Sequence, residues 1–170
     1  PRRIDEAVSL MARAQRPIFY TGGGVINAGP RASAALRVLA KETGFPVTST
    51  LMGLGAFPAG DPQWLGMLGM HGSFEATNAM HDCDVMICVG ARFDDRVTGR
   101  LDAFSPGSKK IHIDVDPSSI NKNVLVDVPV IADAGEALEA LLAAWRGQKT
   151  KANARNLTPW WDQIATWRAR

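Results

Sequence analysis

Residues 84–99 read "DVMICVGARFDDRVTG" and join an apolar run to a densely charged one. Apolar residues fill consecutive positions 85–89, which is typical of a strand that is buried on both faces of a sheet. Gly90 and Gly99 enclose the charged part. A buried strand that ends in charged residues predicts a parallel sheet whose polar groups collect where the strands end.

Similar apolar runs alternate with helical patterns along the chain. Strand-like runs lie near residues 17–21, 46–50, 84–90, 109–116 and 128–133, and helical spacing occupies residues 3–15, 31–43, 73–82 and 135–146. Residues 51–72 are rich in glycine and predict a loop. The alternation predicts an α/β fold, a doubly wound and mostly parallel sheet of about six strands with helices on both faces, as in Rossmann-like dinucleotide-binding domains.

Helix signals mark the boundaries of the domain. Gly44 is expected to end the second helix and Ser73 to cap the third. Thr158 and Pro159 predict the N-cap and first position of a short helix with one apolar face, made of Trp160, Ile164 and Trp167. We therefore predict one domain over residues 1–146, followed by a linker and short helix over residues 147–170 that lead out of it.

Composition excludes several partners. The hydrophobic content of 46% and charged content of 21% are ordinary for a globular protein, and no apolar run approaches the length of about 18 residues that a membrane span needs. Basic residues and tryptophans share the C-terminal tail, which is also a pattern of nucleic-acid binding, but an amphipathic helix explains it better. Cys83 and Cys88 predict buried free thiols and a cytoplasmic protein. We expect neither nucleic acid nor membrane as a partner.

Five unusual stretches follow the five strand-like runs, at residues 21–24, 50–55, 90–99, 114–117 and 132–133. Because parallel strands end at one edge, this predicts a long ligand laid across that edge. Glycines 22–24 suit close approach of backbone to a phosphate, although Asn27 replaces the last glycine of G-x-G-x-x-G and a plain tight turn is the alternative. Asp114 and Asp116 suit ribose hydroxyls or an adenine amine, with turn chemistry before Pro117 as the alternative.

The charged part of the opening stretch fits a pyrophosphate. An arginine guanidinium binds phosphate oxygens in a fork, and neighbouring carboxylates can orient the arginine or accept hydrogen bonds from ligand hydroxyls. A surface cluster of ion pairs is the alternative. His71, His81 and His112 read as structural histidines, and no spacing of His, Cys and carboxylates indicates a metal site.

Five segments together resemble one family. "TGGGV", "TLMGLGAFP", "LGMHG", "ARFDDRVTG" and "IHIDVDP" resemble the central domain of acetohydroxyacid (acetolactate) synthase catalytic subunits, thiamine-diphosphate enzymes, over about residues 1–146. The resemblance implies an extended FAD without net redox chemistry. It implies FAD contacts at Gly22, Gly23, Gly24, Thr50, Leu51, Met52, Leu68, Gly69, Met70, His71, Gly90, Ala91, Arg92, Asp94, Arg96, Val97, Asp114, Val115 and Asp133.

The resemblance also implies what the chain lacks. Thiamine diphosphate and Mg²⁺ would bind the first and third domains of the parent subunit, which condenses pyruvate with a second 2-ketoacid and releases CO₂. A "GDG" segment for the diphosphate–magnesium site does not occur in this sequence, where Gly60 and Asp61 are followed by Pro62. We therefore expect an excised domain that is inactive alone, self-associates, and belongs to a parent with its own further domains and a regulatory subunit.

Two other readings stay open from the residues alone. One is a free-standing oxidoreductase that uses FAD or NAD, which would need a substrate pocket and proton donor from a second domain. The other is a scaffold domain of a related thiamine-diphosphate decarboxylase that has lost its cofactor. The intact glycines and the "RFDDR" segment argue against that loss.

Overall fold

A computed structural model describes residues 2–67, 73–91, 105–119, 126–148 and 157–170. Helices alternate with strands along most of this part of the chain. The elements are α1 (Arg2–Arg13), β1 (Pro17–Thr21), α2 (Gly23–Asn27), α3 (Pro30–Thr43), β2 (Val47–Ser49), β3 (Trp64–Met67), α4 (Phe74–Asp82), β4 (Val85–Val89), β5 (Lys109–Asp114), β6 (Val128–Ile131), α5 (Ala134–Gly147) and α6 (Thr158–Arg168). Short 3₁₀ turns occupy Leu51–Gly53 and Pro117–Ser119.

The described strands form one six-stranded sheet in the order β3-β2-β1-β4-β5-β6. Every neighbouring pair is parallel. The order reverses between β1 and β4, which is the topological switch point of a doubly wound dinucleotide-binding sheet. The prediction of an α/β fold with a Rossmann-like sheet is confirmed.

Side chains of the central strands alternate between two separate cores, because successive residues of a strand point to opposite faces. In β1, Phe19 joins the core that α1, α3 and α5 cover, which we call the first face. Its neighbours Ile18 and Tyr20 join the core under α4 and α6, the second face. Helices therefore cover both faces, as the apolar strands require.

Two of the predicted helix signals act where the sequence placed them. Gly44 ends α3 in the left-handed conformation, with φ of 75°, and its N–H donates to Ala40. Ser73 caps α4 by accepting a hydrogen bond from the N–H of Ala76 at 3.0 Å. A left-handed C-cap favours glycine and an N-cap favours serine, so both boundaries follow from local chemistry.

Three local features differ from what the sequence predicted. Residues 64–67 form the edge strand β3 inside the predicted loop, although Gly66 has a φ of 108° and the pairing with β2 shifts register. Four residues are too few for a periodic signal, so pairing with a neighbour decides the strand. The short helix α2 was also not predicted. In α6, Leu157 is the N-cap and Thr158 the first helical residue, so the helix begins one position earlier than predicted.

The last helix packs onto the second face of the sheet. Trp160 and Ile164 are buried there. The Trp160 ring donates to the carbonyl of Pro17 at 2.9 Å, and Trp161 donates to that of Gly44 at 2.9 Å. Within the part of the chain that the structure describes, the helices fall short of the length and apolar character that a membrane crossing requires.

Candidate functional site

A cleft of about 290 Å³ opens at the edge of the sheet where β4, β5 and β6 end. Its walls come from the turn after β1, the end of β4, the end of β5 and the start of α5. We call it the strand-end cleft. It is lined by Gly24, Asn27, Ala28, Gly90, Ile113, Asp114, Val115, Asp116, Ala132, Asp133 and Ala134. Ligands of open α/β sheets bind at this edge, beside the point where the strand order reverses.

The glycines after β1 pack directly against the end of β4. The N–H of Gly22 donates to Val89 at 2.9 Å, and that of Gly24 donates to Gly90 at 3.0 Å. A Cβ on Gly24 would lie 2.6 Å from the Cα of Gly90. These two glycines are therefore required by contact between two backbones. The N–H groups of Gly22 and Gly24 therefore already have acceptors inside the fold.

Gly90 forms the next part of the wall and adopts the left-handed conformation, with φ of 63°. A side chain at this position would be strained, so glycine is the residue that fits. The Gly90 N–H donates to Ile113 of β5 at 2.9 Å. Gly90 thus ties the ends of β4 and β5 to the turn after β1.

Two carboxylates line the cleft at the end of β5 and also shape the chain there. Asp114 accepts a hydrogen bond from the N–H of Asp116 at 2.9 Å. Asp116 accepts bonds from the N–H and the hydroxyl of Ser118, at 3.0 and 2.8 Å. The turn chemistry weighed in the sequence is present. Because an ionised carboxylate has about four acceptor positions, these turns do not exhaust its capacity for ligand hydroxyls or amines.

Asp133 contributes a third carboxylate, from the start of α5 that follows β6. It is the N-cap of α5, and its side chain accepts a hydrogen bond from the N–H of Glu136 at 3.1 Å. The side chain is exposed at the start of the helix. The strand-end cleft is therefore lined by carboxylates that follow β5 and β6 and by glycine backbone from the segments after β1 and β4.

His112 lies beneath the cleft with its side chain fully buried. Its Nε2 is 2.9 Å from the carbonyl oxygen of Ala91 and 3.8 Å from a carboxylate oxygen of Asp114. A carbonyl can only accept, so Nε2 carries the proton and donates. Burial lowers the pKa of His112, against smaller opposing effects of the Ala91 carbonyl and of Asp114. The imidazole is thus neutral at pH 7, and its Nε2 is bonded inside the fold.

An apolar turn stands beside the cleft on the far side of the glycines. Thr50 anchors this turn by donating its N–H to Thr21 at 2.9 Å. Leu51 and Met52 are 68% and 75% exposed, although both are large apolar residues. Exposed apolar side chains next to a cleft are typical of a surface that a ligand or another part of a protein covers.

The structure brings some of the predicted contacts together. Those that line the strand-end cleft are Gly24, Gly90, Asp114, Val115 and Asp133, and those in adjoining segments are Gly22, Gly23, Thr50, Leu51, Met52 and Ala91. The remaining predictions, Leu68, Gly69, Met70, His71, Arg92, Asp94, Arg96 and Val97, lie outside the described residues. In the described ranges, no cluster of His, Cys, Asp or Glu side chains is large enough to hold a metal ion.

Sequence reasoning missed the less distinctive part of the lining. These residues are Ala28, Ile113 and Ala134, and also Asn27, which stood out only as a departure from G-x-G-x-x-G. Small and apolar residues carry no chemical signal of their own. Their position within a few residues of a strand end was the available clue.

Comparison with known proteins agrees with this geometry. The family described as "Thiamine pyrophosphate enzyme, central domain" matches residues 4–141. The chain is 44% identical to the acetolactate synthase large subunit of Haemophilus influenzae over 168 residues, which are 99% of this chain and 29% of that protein. It is 43% identical to the isozyme 3 large subunit of Escherichia coli over 168 residues, again 99% and 29%.

A third relative, the acetolactate synthase of Mycobacterium leprae, is 46% identical over 163 residues, 96% of this chain and 26% of that protein. The chain spans less than a third of the length of these relatives. The match covers the sheet, the glycine turn and the strand-end cleft. The chain belongs to the family of thiamine pyrophosphate enzyme central domains.

Proposed function

We propose that the chain is the FAD-binding central domain of an acetolactate synthase catalytic subunit. The observation that carries this proposal is the strand-end cleft at the switch point of a doubly wound sheet, walled by glycine backbone and lined by three carboxylates. The relatives named above supply the parent enzyme.

The nucleoside half of FAD fits this cleft best. Pockets for small molecules commonly measure about 300–1,000 Å³, so a volume of about 290 Å³ suits only part of a flavin dinucleotide. Asp114, Asp116 and Asp133 can accept hydrogen bonds from ribose hydroxyls and an adenine amine. Their negative charges repel phosphate, so the pyrophosphate lies outside this part of the cleft.

The other half of FAD requires the neighbouring segments. Two of the three glycine N–H groups are used inside the fold, which leaves the arginines of "ARFDDRVTG" as the cations for the pyrophosphate. The exposed Leu51 and Met52 offer apolar surface for the flavin ring. FAD in this family carries no net redox chemistry, so the domain holds the cofactor in place.

The parent enzyme would condense pyruvate with a second 2-ketoacid and release CO₂, with thiamine diphosphate and Mg²⁺ bound by its other domains. In this proposal residues 1–146 are the FAD domain, and residues 147–170 lead towards the next domain. The parent is cytoplasmic, oligomeric and served by a regulatory subunit. Because the other domains would close over the flavin ring, the chain alone binds FAD weakly, with a Kd in the micromolar range or higher. It also makes no acetolactate.

Calorimetric titration with FAD tests the cofactor. Arg92→Ala and Arg96→Ala should each weaken binding about 10- to 150-fold, the loss of one charge-assisted hydrogen bond. Arg146→Ala is the matched control, because Arg146 pairs with Glu42 at the end of α5 opposite the cleft. Heat of binding that is absent from the unaltered chain, or equal in all four proteins, would refute FAD binding or the role of the arginines.

A second assay tests the proposal that catalysis requires the other domains of the parent enzyme. The chain, mixed with pyruvate, thiamine diphosphate, Mg²⁺ and FAD, should form no acetolactate. Steady acetolactate production that scales with protein concentration would show that the chain contains a complete active site, contrary to the proposal.

A further inference from the structure

We propose that His112 is a positioning residue that holds the Gly90–Ala91 wall of the strand-end cleft in place. The inference rests on the proposed function only where it concerns FAD. Its structural part, that one buried imidazole fixes this wall, stands on the hydrogen bonds of the described residues.

Three hydrogen bonds converge on the wall. Gly90 donates its N–H to Ile113 at 2.9 Å and accepts the N–H of Gly24 at 3.0 Å. The next carbonyl, that of Ala91, accepts from Nε2 of His112 at 2.9 Å. The first two bonds are backbone to backbone and depend on glycine at positions 24 and 90 for the close approach. The third is the one that depends on a donor side chain, so the sequence also controls the wall through His112.

Because both partners of this third bond are buried, its loss should disturb the chain around Ala91. Both His112 and Ala91 are almost inaccessible to solvent, at 0% and 2%. A buried carbonyl that loses its donor cannot turn to water, so the chain around it must shift. An apolar residue could fill the volume of the imidazole without supplying the donor. Packing alone therefore does not account for a histidine here.

The same imidazole also lies behind a second wall. Its Nε2 is 3.8 Å from a carboxylate oxygen of Asp114, which lines the cleft from β5. The residue facing His112 across the β4–β5 pairing is the buried Cys88. A change at His112 should thus move two lining elements while leaving the apolar cores intact.

Lys110 provides a matched control on the same strand. It is buried, lies two residues earlier on the same face, and donates from Nζ to the carbonyls of Ser105 and Ser108 at 3.3 and 3.2 Å. Those bonds are at the start of β5, at the edge of the sheet opposite the cleft. Loss of a buried polar contact is therefore common to Lys110 and His112 variants, but loss of the wall is not.

The experiment uses amide hydrogen exchange on the unaltered chain, His112→Leu, His112→Gln and Lys110→Met. In His112→Leu the amides of Gly24 and Gly90 should exchange at least about 5-fold faster relative to the amides of α3, since a buried carbonyl has lost its donor. Gln can place an N–H near the position of Nε2 and should restore most of the protection. Lys110→Met should leave both amides unchanged relative to α3. Protection that stays within about 2-fold in His112→Leu would overturn the inference.

A measurement on the unaltered protein covers the case in which His112→Leu fails to fold. The ¹⁵N shifts of the imidazole should identify the Nε2–H tautomer at neutral pH. A proton on Nδ1 alone would overturn the inference, because Nε2 could then not donate to Ala91.

FAD titration separates this inference from the proposed function. If the unaltered chain binds FAD, His112→Leu should raise Kd about 5-fold or more, with His112→Gln and Lys110→Met near the original value. Equal Kd values in all four proteins would refute the role of His112 and leave FAD binding intact. If the unaltered chain binds no FAD, the proposed function fails, and hydrogen exchange alone decides the positioning role.

Discussion

Substitution of two adjacent glycines should separate backbone packing from ligand contact in the turn after β1. Gly23 and Gly24 begin α2, and the sequence gives no reason to treat them differently. In the structure, a Cβ on Gly24 would meet the Cα of Gly90 at 2.6 Å and its oxygen at 3.2 Å. A Cβ on Gly23 would meet the side chain of Met52 at 3.2 Å, in an exposed turn that can yield.

The magnitudes follow from these contacts. Gly24→Ala overpacks two backbones, which costs about 1–3 kcal/mol, and strains the hydrogen bond to Gly90, worth about 0.5–1.5 kcal/mol. Alanine gains about 0.5–1 kcal/mol over glycine in a helix. The expected net loss is about 2 kcal/mol for Gly24→Ala. Gly23→Ala keeps the gain with little clash, so its stability should stay within about 1 kcal/mol of the original or rise.

Urea unfolding of the two variants and the unaltered chain measures these differences, with equal slopes as the check on comparability. FAD affinity provides the second readout, because Gly24 lines the strand-end cleft and Gly23 does not. We expect weaker binding in Gly24→Ala alone. Equal loss of stability in the two variants, or a neutral Gly24→Ala, would refute the assignment of Gly24 to packing against β4.

Three further predictions follow from buried groups. Trp160→Ala should lower the free energy of unfolding, measured by urea denaturation, by about 3–5 kcal/mol because the ring is buried on the second face. A change below about 1 kcal/mol would mean that α6 does not pack on the sheet. Burial raises the pKa of Cys83 to about 11 and that of Cys88 well above its usual value, so a thiol reagent at mildly alkaline pH should label neither before denaturant is added. Rapid labelling of the native protein would contradict this. Burial lowers the pKa of His112, so the unfolded chain binds the proton more readily, and stability should fall as pH drops below about 6.5. His112→Gln should flatten that decline in urea titrations across pH, and an unaltered decline would exclude His112 as its source.

Strong local chemistry accounts for what the sequence predicted well. Residues 85–89 are all buried in β4, because an uninterrupted apolar run has no polar side to expose. Gly44 and Ser73 end and begin helices through their own backbone conformation and hydrogen bonding. Such local effects can be predicted without knowing the tertiary contacts. The edge strand β3 could not be predicted in this way. Its four residues form a strand because β2 offers a pairing partner, and that partner is a product of the fold.

In the candidate site, too, some features could be predicted from the sequence and others depend on the fold. Sequence order placed Asp114 and Asp133 correctly at one edge, since parallel strands must all end there. A glycine in the sequence, by contrast, indicates that another group approaches the backbone closely but does not identify that group. At Gly22 and Gly24 the approaching group is the end of β4, which no pattern in "TGGG" could distinguish from a phosphate.

The carboxylates of the cleft illustrate why function and turn chemistry coincide at this edge. Each strand of a parallel sheet must reverse direction after its carboxyl end, and Asx turns and N-caps satisfy the backbone N–H groups that the reversal exposes. Asp114 closes such a turn and Asp133 caps α5. The same requirement places their remaining acceptor capacity at the mouth of the crevice that the reversal of strand order opens. A ligand rich in hydroxyl and amine donors can therefore bind there without a dedicated set of side chains, and the turn and ligand explanations of these residues are not rivals.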